Sequence, residues 1–308
     1  MFVSGALHAQ SGYPNKPITL VVPYPVGGSN DVFARLIAKS LGEALKVAVV
    51  VDNRPGASGS TGTLQVSKAA PDGYTLLAVS SSMTTNAAIQ EKSGFDPTKN
   101  LTAIAMLAKG PFIVAVNDSF PAKDPKQLVA LLKANPGKYN YASSGTGSSN
   151  QFATELMKVM SGTFALHIPY RGMGPAVTDL IGGQTQILLA SGPSLLPQVR
   201  NGRIRAIGIT SLKPSPIAPE LIPMATAIPG YEFELWWGIL APPGVPSEIV
   251  SLLNSQINKI LNLPETKAAF LREGAETYPE TPAQFASRIS GDILRWKNIA
   301  KRQNITAE

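Results

Sequence analysis

Two short glycine-bearing segments hold the residues best suited to chemistry. Pro23-Tyr24-Pro25-Val26-Gly27-Gly28 and Ser143-Ser144-Gly145-Thr146-Gly147-Ser148 each follow a short apolar run and precede a helical pattern. In an open α/β sheet, a loop joining the carboxyl end of a strand to a helix lies at the edge where ligands bind. The start of that helix offers unpaired N–H groups and roughly half a positive charge, a seat for a carboxylate or phosphate. One such loop by itself reads as a tight turn, glycine being the residue that tolerates positive φ. Two of them, one in each of two domains, could face across a cleft and grip an anion from both sides.

Other chemistries lack parts. The second segment half-matches a dinucleotide fingerprint, but Asn150 stands at the third glycine position, and no Gly-Lys-Ser/Thr follows to make a phosphate-binding Walker loop. The chain has no cysteine and two histidines, His8 and His167, so thiolate catalysis and histidine-based metal sites are not expected. A hydrolase built on Ser143 to Ser149 is a rival reading, and it lacks an evident base. Asp31 and Asp179 read as helix-terminus or packing residues. Arg171, after Pro169-Tyr170 and before Gly172, either reaches a cleft to hold a carboxylate bidentately or is a surface arginine. Trp236 and Trp237 suit core packing first and cleft lining second.

The elements that would position these residues alternate. Ile18 to Val22 is bounded by prolines and reads as a buried strand, followed by the first glycine loop and a helix from Asp31 to about Ala44. Strands are expected at 47–51, 74–79, 112–116, 139–142, 167–169, 186–190 and 206–210, with helices near 61–68, 126–133 and 150–160. The strand, glycine loop, helix unit thus occurs twice. The proline-rich stretch 214–229 interrupts the alternation, and from Ser247 onward apolar residues fall at helical spacing. This predicts an α/β protein of two domains: residues 12–109 with 231–308, and residues 110–230.

At 308 residues and 44% hydrophobic, the chain can build two cores, and it carries a formal charge of +7 from 27 basic and 20 acidic residues. That balance suits attraction of anions. The basic residues are dispersed apart from Arg295, Lys297, Lys301 and Arg302, which read as a solvated helix face, and no nucleic acid partner is expected. Residues 1–11, with Phe2, Val3, Ala6, Leu7 and Ala9 before Gln10, read as the remnant of a secretory signal.

The blocks Tyr13-Pro14-Asn15-Lys16-Pro17-Ile18, Pro23 to Asp31 with Ala34-Arg35, Asn53-Arg54-Pro55-Gly56-Ala57, Ala70 to Leu76, Tyr141 to Ser148, Pro169-Tyr170-Arg171-Gly172, Asp179 to Gln184 and Ala241-Pro242-Pro243-Gly244-Val245-Pro246 resemble, in order, those of the tripartite tricarboxylate transporter substrate-binding proteins, the Bug family. The resemblance implies a periplasmic binding protein fold of the type II kind, two α/β domains joined by a hinge. It implies no enzymatic activity, no cofactor and no metal. The implied partners are a small carboxylate and the membrane subunits of the transporter, with the receptor itself a monomer. It also implies a ligand site at Tyr24, Val26, Gly27 and Gly28 on one side, with Ser144, Gly145, Thr146, Gly147 and Ser148 on the other. Ser82, Arg171 and Ser191 are expected as secondary contacts. Three departures stand out: Asn150 where many members have histidine, Thr226 near a frequent glutamate, and Ser191-Gly192 where members often carry Asp-Asn. Without that aspartate to meet an ammonium group, amino-acid ligands are not expected. Linear and aromatic acids both stay open, as does a sensor role using the same cleft.

Overall fold

The structure is a computed structural model that describes residues 12–90 and 95–306. Runs rich in valine, isoleucine and leucine become strands buried on both faces, as parallel sheets covered by helices require. β1 (Ile18–Val22), β2 (Val49–Asn53), β3 (Thr75–Ser80), β4 (Thr102–Pro111), β10 (Glu234–Ala241) and β11 (Glu276–Thr277) form one sheet in the order β11-β4-β10-β3-β1-β2. β5 (Ile113–Asn117), β6 (Asn140–Ser143), β7 (Leu166–Pro169), β8 (Ile187–Ala190) and β9 (Ile204–Ile209) form the other, in the order β7-β6-β8-β5-β9.

The two sheets share one connectivity. β1 pairs in parallel with β2 and β3, and β6 pairs in parallel with β7 and β8. Beside each trio runs an antiparallel strand supplied after the chain has crossed from the other sheet: β10 against β3 and β4, β5 against β8 and β9. The sequence expectation of an α/β protein with two sheets is therefore met.

Helices fill both faces: α1 (Ser29–Leu45), α2 (Ser60–Ser67), α3 (Ser82–Ile89), α4 (Pro97–Asn100), α5 (Pro125–Ala134), α6 (Ser149–Ser161), α7 (Met173–Ile181), α8 (Gly192–Arg200), α9 (Ser247–Asn262), α10 (Pro264–Arg272) and α11 (Pro282–Gln303). α3, α7, α8, β4 and β10 are among the elements not expected from the sequence. The α3 segment Ser-Met-Thr-Thr-Asn-Ala-Ala-Ile has no apolar stripe to betray a helix, because it is buried on more than one side, with Met83, Thr84, Thr85, Asn86 and Ala88 all covered. The reading of residues 1–11 as a secretory remnant falls outside the described residues.

Successive side chains on β10 point to opposite faces. Trp237 packs beneath one face against Phe33, 4.6 Å between ring centroids, and Phe33 stacks on Phe270 at 4.8 Å. Trp236 meets Phe285 edge-on at 5.1 Å on the other face and donates its indole N–H to Asp292 at 2.7 Å. Both tryptophans are core residues.

The chain crosses between sheets at Phe112 and again on the way from β9 to β10. The two crossings are laced together at Thr210, which is fully buried. Its hydroxyl accepts from the Phe112 N–H at 2.8 Å and donates to the Phe233 carbonyl at 2.6 Å, while its own N–H reaches the Phe112 carbonyl at 2.9 Å. Phe112 and Phe233 stack at 5.5 Å, and Trp296 of α11 stacks on Phe233 at 5.0 Å while meeting Phe152 of α6 at 5.8 Å. The proline-rich stretch 214–229 lies on the second sheet, where Ile209 donates to the Ile222 carbonyl at 3.1 Å. Removing the Thr210 hydroxyl strands a buried N–H and a buried carbonyl. Thr210→Val should lower stability by about 1–3 kcal/mol in urea denaturation, and a change within error of zero would show that the lacing contributes nothing.

Candidate functional site

Each glycine loop is held by the helix that it starts. Gly27 has φ 85° and donates its N–H to Asp31 Oδ2 at 3.0 Å. Asp31 is 3% exposed and also accepts from Asn53 Nδ2 at 3.0 Å and from Arg35 at 2.9 Å. Burial by itself would raise its carboxyl, but the bonds from Arg35, Gly27 and Asn53 outweigh that and hold it below the usual carboxylate range. The Trp237 indole adds a bond to Ser29 Oγ at 3.2 Å, tying the start of α1 to β10.

In the second loop Gly147 has φ 82° and donates to Gln151 Oε1 at 2.7 Å. The amide nitrogen of Gln151 lies 3.3 Å from His167 Nδ1, and His167 Nε2 lies 2.6 Å from Ser143 Oγ. An amide N–H needs an acceptor, so this network assigns the neutral ring's proton to Nε2. Ser148 Oγ donates to the Gly145 carbonyl at 2.6 Å, closing the turn.

The loops face each other across a cleft of about 1100 Å³. On the first side it is lined by Tyr24, Val26, Gly27, Gly28 and Ser82, and on the second by Ser144, Gly145, Thr146, Ser148, Arg171 and Ser191. Gly147 is the exception among the expected site residues. A Cβ there would stand 2.8 Å from Ile89 and 3.2 Å from Asn86, so it packs against α3 and takes no part in the lining. Thr226 is likewise away from the lining. The two sides touch where Ser58 Oγ donates to the Thr146 carbonyl at 3.1 Å and where Ser82 Oγ meets Ser149 Oγ at 2.8 Å.

Sequence reading missed Asn30, Ser58, Phe112 and Arg203 and named Asn150 as a departure without making it a contact; all five line the cleft. A signal for two of them was present, because Ser-Asn opens both α1 and α6. Arg203 had none, since it arrives from the turn before β9.

The electrostatic character follows from this lining. α1, α3, α6, α7 and α8 all begin at the cleft, and none of them has a side-chain cap. Away from it Asp124 caps α5 and Thr281 caps α11, while α9 and α10 start without a side-chain cap. Among the described residues the charged side chains of the lining are Arg171 and Arg203, with no Asp or Glu. Tyr24, raised by burial, and Tyr170, raised by burial and then by its 2.6 Å bond to Asp179, are both pushed up to about 12. They stay neutral at ordinary pH. Among the described residues the site thus offers donors and positive helix ends with no acidic side chain to oppose them.

The Ser143–His167 contact sets a histidine beside a serine of the hydrolase reading, but with its proton on Nε2 the ring donates to that hydroxyl and is not its base, and Ser143 is fully buried. Its hydroxyl also bonds the Gly145 carbonyl and N–H, each at 3.2 Å, and it is absent from the lining. The pair braces the loop and has no access to a substrate.

Residues 33–305 match the model of the tripartite tricarboxylate transporter family receptor. The chain belongs to this family. Among its relatives is protein BugT of Bordetella pertussis, 35% identical over 292 residues that cover 94% of this chain and 90% of that one. Of solved structures, R. palustris Rpa4515 with adipate has 32% identity and a TM-score of 0.92, covering 96% of this chain and 99% of that one. MatC from Rhodopseudomonas palustris with bound malate has 28% identity and a TM-score of 0.86, covering 93% and 99%. The fold is accordingly the family's pair of α/β domains.

Asp31 is the group whose ionisation the first loop depends on. Its lowered pKa means that it contributes stability above about pH 4, where the unfolded carboxyl is already ionised, and that this contribution is lost as pH falls through its own lower value. Asp31→Asn should cost about 1–3 kcal/mol at neutral pH, and the gap between variant and parent should close in acid denaturation curves. A gap that persists unchanged at low pH would exclude this account.

Proposed function

We propose that the protein is a periplasmic solute receptor that captures a small organic carboxylate between its two domains and hands it to the membrane subunits of a tripartite transporter. The observation that carries this reading is the convergence of five helix starts without side-chain caps, together with Arg171 and Arg203, on one cleft that lacks acidic side chains among the described residues. Helix N-termini favour negative charge, and arginine pairs with a carboxylate bidentately. A zwitterionic amino acid would leave its ammonium group unmatched there. The relatives solved with adipate and malate support a carboxylate as the ligand class.

In this reading the contacts are the eleven lining residues expected from the sequence, Tyr24, Val26, Gly27, Gly28, Ser82, Ser144, Gly145, Thr146, Ser148, Arg171 and Ser191. The Gly27 N–H is held by Asp31 in this structure, so α1 meets the anion through the backbone beyond it. The domains, residues 12–109 with 231–308 and residues 110–230, close about the lacing at Thr210. The receptor works as a monomer and performs no chemistry on its ligand.

A thermal-shift screen tests this, on protein refolded to remove any co-purified solute, against aliphatic diacids, tricarboxylates, aromatic acids and amino acids. At about a hundred times Kd, a carboxylate should raise Tm by on the order of 5 °C, with amino acids giving no shift. Stabilisation by amino acids and by none of the acids would refute the proposal.

A further inference from the structure

The repeat in connectivity extends to single residues in the two loops. β1 and β6 hold equivalent places in their sheets, and α1 and α6 follow them. α1 opens Ser29-Asn30-Asp31 and α6 opens Ser149-Asn150-Gln151. Two residues before each serine stands a left-handed glycine, Gly27 at φ 85° and Gly147 at φ 82°. In both cases the third helical residue turns back to hold that glycine's N–H, Asp31 at 3.0 Å and Gln151 at 2.7 Å. Asp31 and Gln151 are thereby committed to the loop, and the asparagine between each of them and the serine lines the cleft.

The two asparagines are not chemically alike. Asn30 places Nδ2 3.4 Å from Ser80 Oγ and leaves Oδ1 buried without a partner. Asn150 is 2% exposed, and its Oδ1 accepts from Ser144 Oγ at 3.0 Å and from the Ser144 N–H at 3.5 Å. A backbone N–H only donates, so the oxygen belongs on that side and the amide nitrogen is turned away from it. That nitrogen is buried with no partner, beside an anion-favouring helix start without a side-chain cap. A buried amide N–H left unpaired is costly, and a ligand oxygen removes the cost.

We infer that Asn150 is a specificity-determining ligand contact, whose amide N–H donates to a second carboxylate at the α6 side while the first is held at the start of α1, so that the ligand is a dicarboxylate. This rests on the carboxylate-receptor reading above. Asn30, presenting an oxygen, does not share the role, and the first carboxylate is met there by backbone.

Calorimetric titration tests the assignment. The probes are unbranched α,ω-dicarboxylates of four to six carbons and the monocarboxylates of matching length. Asn150→Ala should weaken the best dicarboxylate at least about tenfold and leave its monocarboxylate partner within about twofold. Asn150→Asp keeps the shape but opposes oxygen to oxygen, and should weaken the dicarboxylate further, with circular dichroism and Tm checking that both variants fold. Equal losses for both ligands, or wild-type affinity in Asn150→Asp, would overturn the inference. Wild-type protein that binds an aromatic or tricarboxylic acid and no dicarboxylate would overturn it while sparing the receptor reading; binding of no carboxylate at all would end both.

Discussion

The site depends on one arrangement made twice, a left-handed glycine whose N–H is captured by the side chain four residues on. Without that bond the loop between strand and helix would have no fixed path, and the helix start would not stand at a defined place in the cleft. Asp31 and Gln151 do the same work with different chemistry. The carboxylate needs Asn53 and Arg35 around it to remain ionised while buried. The amide needs no counter-charge, and it is steadied by His167, which is itself anchored on Ser143. The geometry of both loops therefore rests on residues absent from the cleft lining.

That separation explains why the cleft lacks acidic side chains among the described residues although the loops are made with one. Asp31 is turned into its own domain, and its charge is matched there. What faces the cleft is the positive end of each helix, with Arg171 and Arg203 on the second side. Such partial charges are fixed by the backbone and cost no side-chain ordering when a ligand arrives. Their reach depends on how well the cleft excludes water.

Much of this was legible in the sequence. The strand, glycine loop, helix unit and its repetition were plain from proline-bounded apolar runs and glycine pairs, and the lining at Tyr24 to Gly28 and around Ser144 to Ser148 follows from that unit. What was not legible is what periodicity does not encode. α3 is buried on several sides and so carries no stripe. Gly147 looks like a ligand-facing glycine but is needed for its φ and for close approach to α3. The contact of His167 with Ser143 joins residues 24 apart through the parallel pairing of β6 and β7, a register that spacing does not reveal. Asn150 reads as a departure from a glycine fingerprint until its amide is seen to be buried and unpartnered.

The central claim is that the two domains close on an anion about the Thr210 lacing. Small-angle X-ray scattering on refolded protein, with and without a saturating carboxylate found by the thermal screen, addresses it directly. The account predicts a smaller radius of gyration with ligand, and a liganded curve that fits this structure, in which Ser58 meets Thr146 and Ser82 meets Ser149. Identical curves in both states, with ligand shown to be bound, would contradict it.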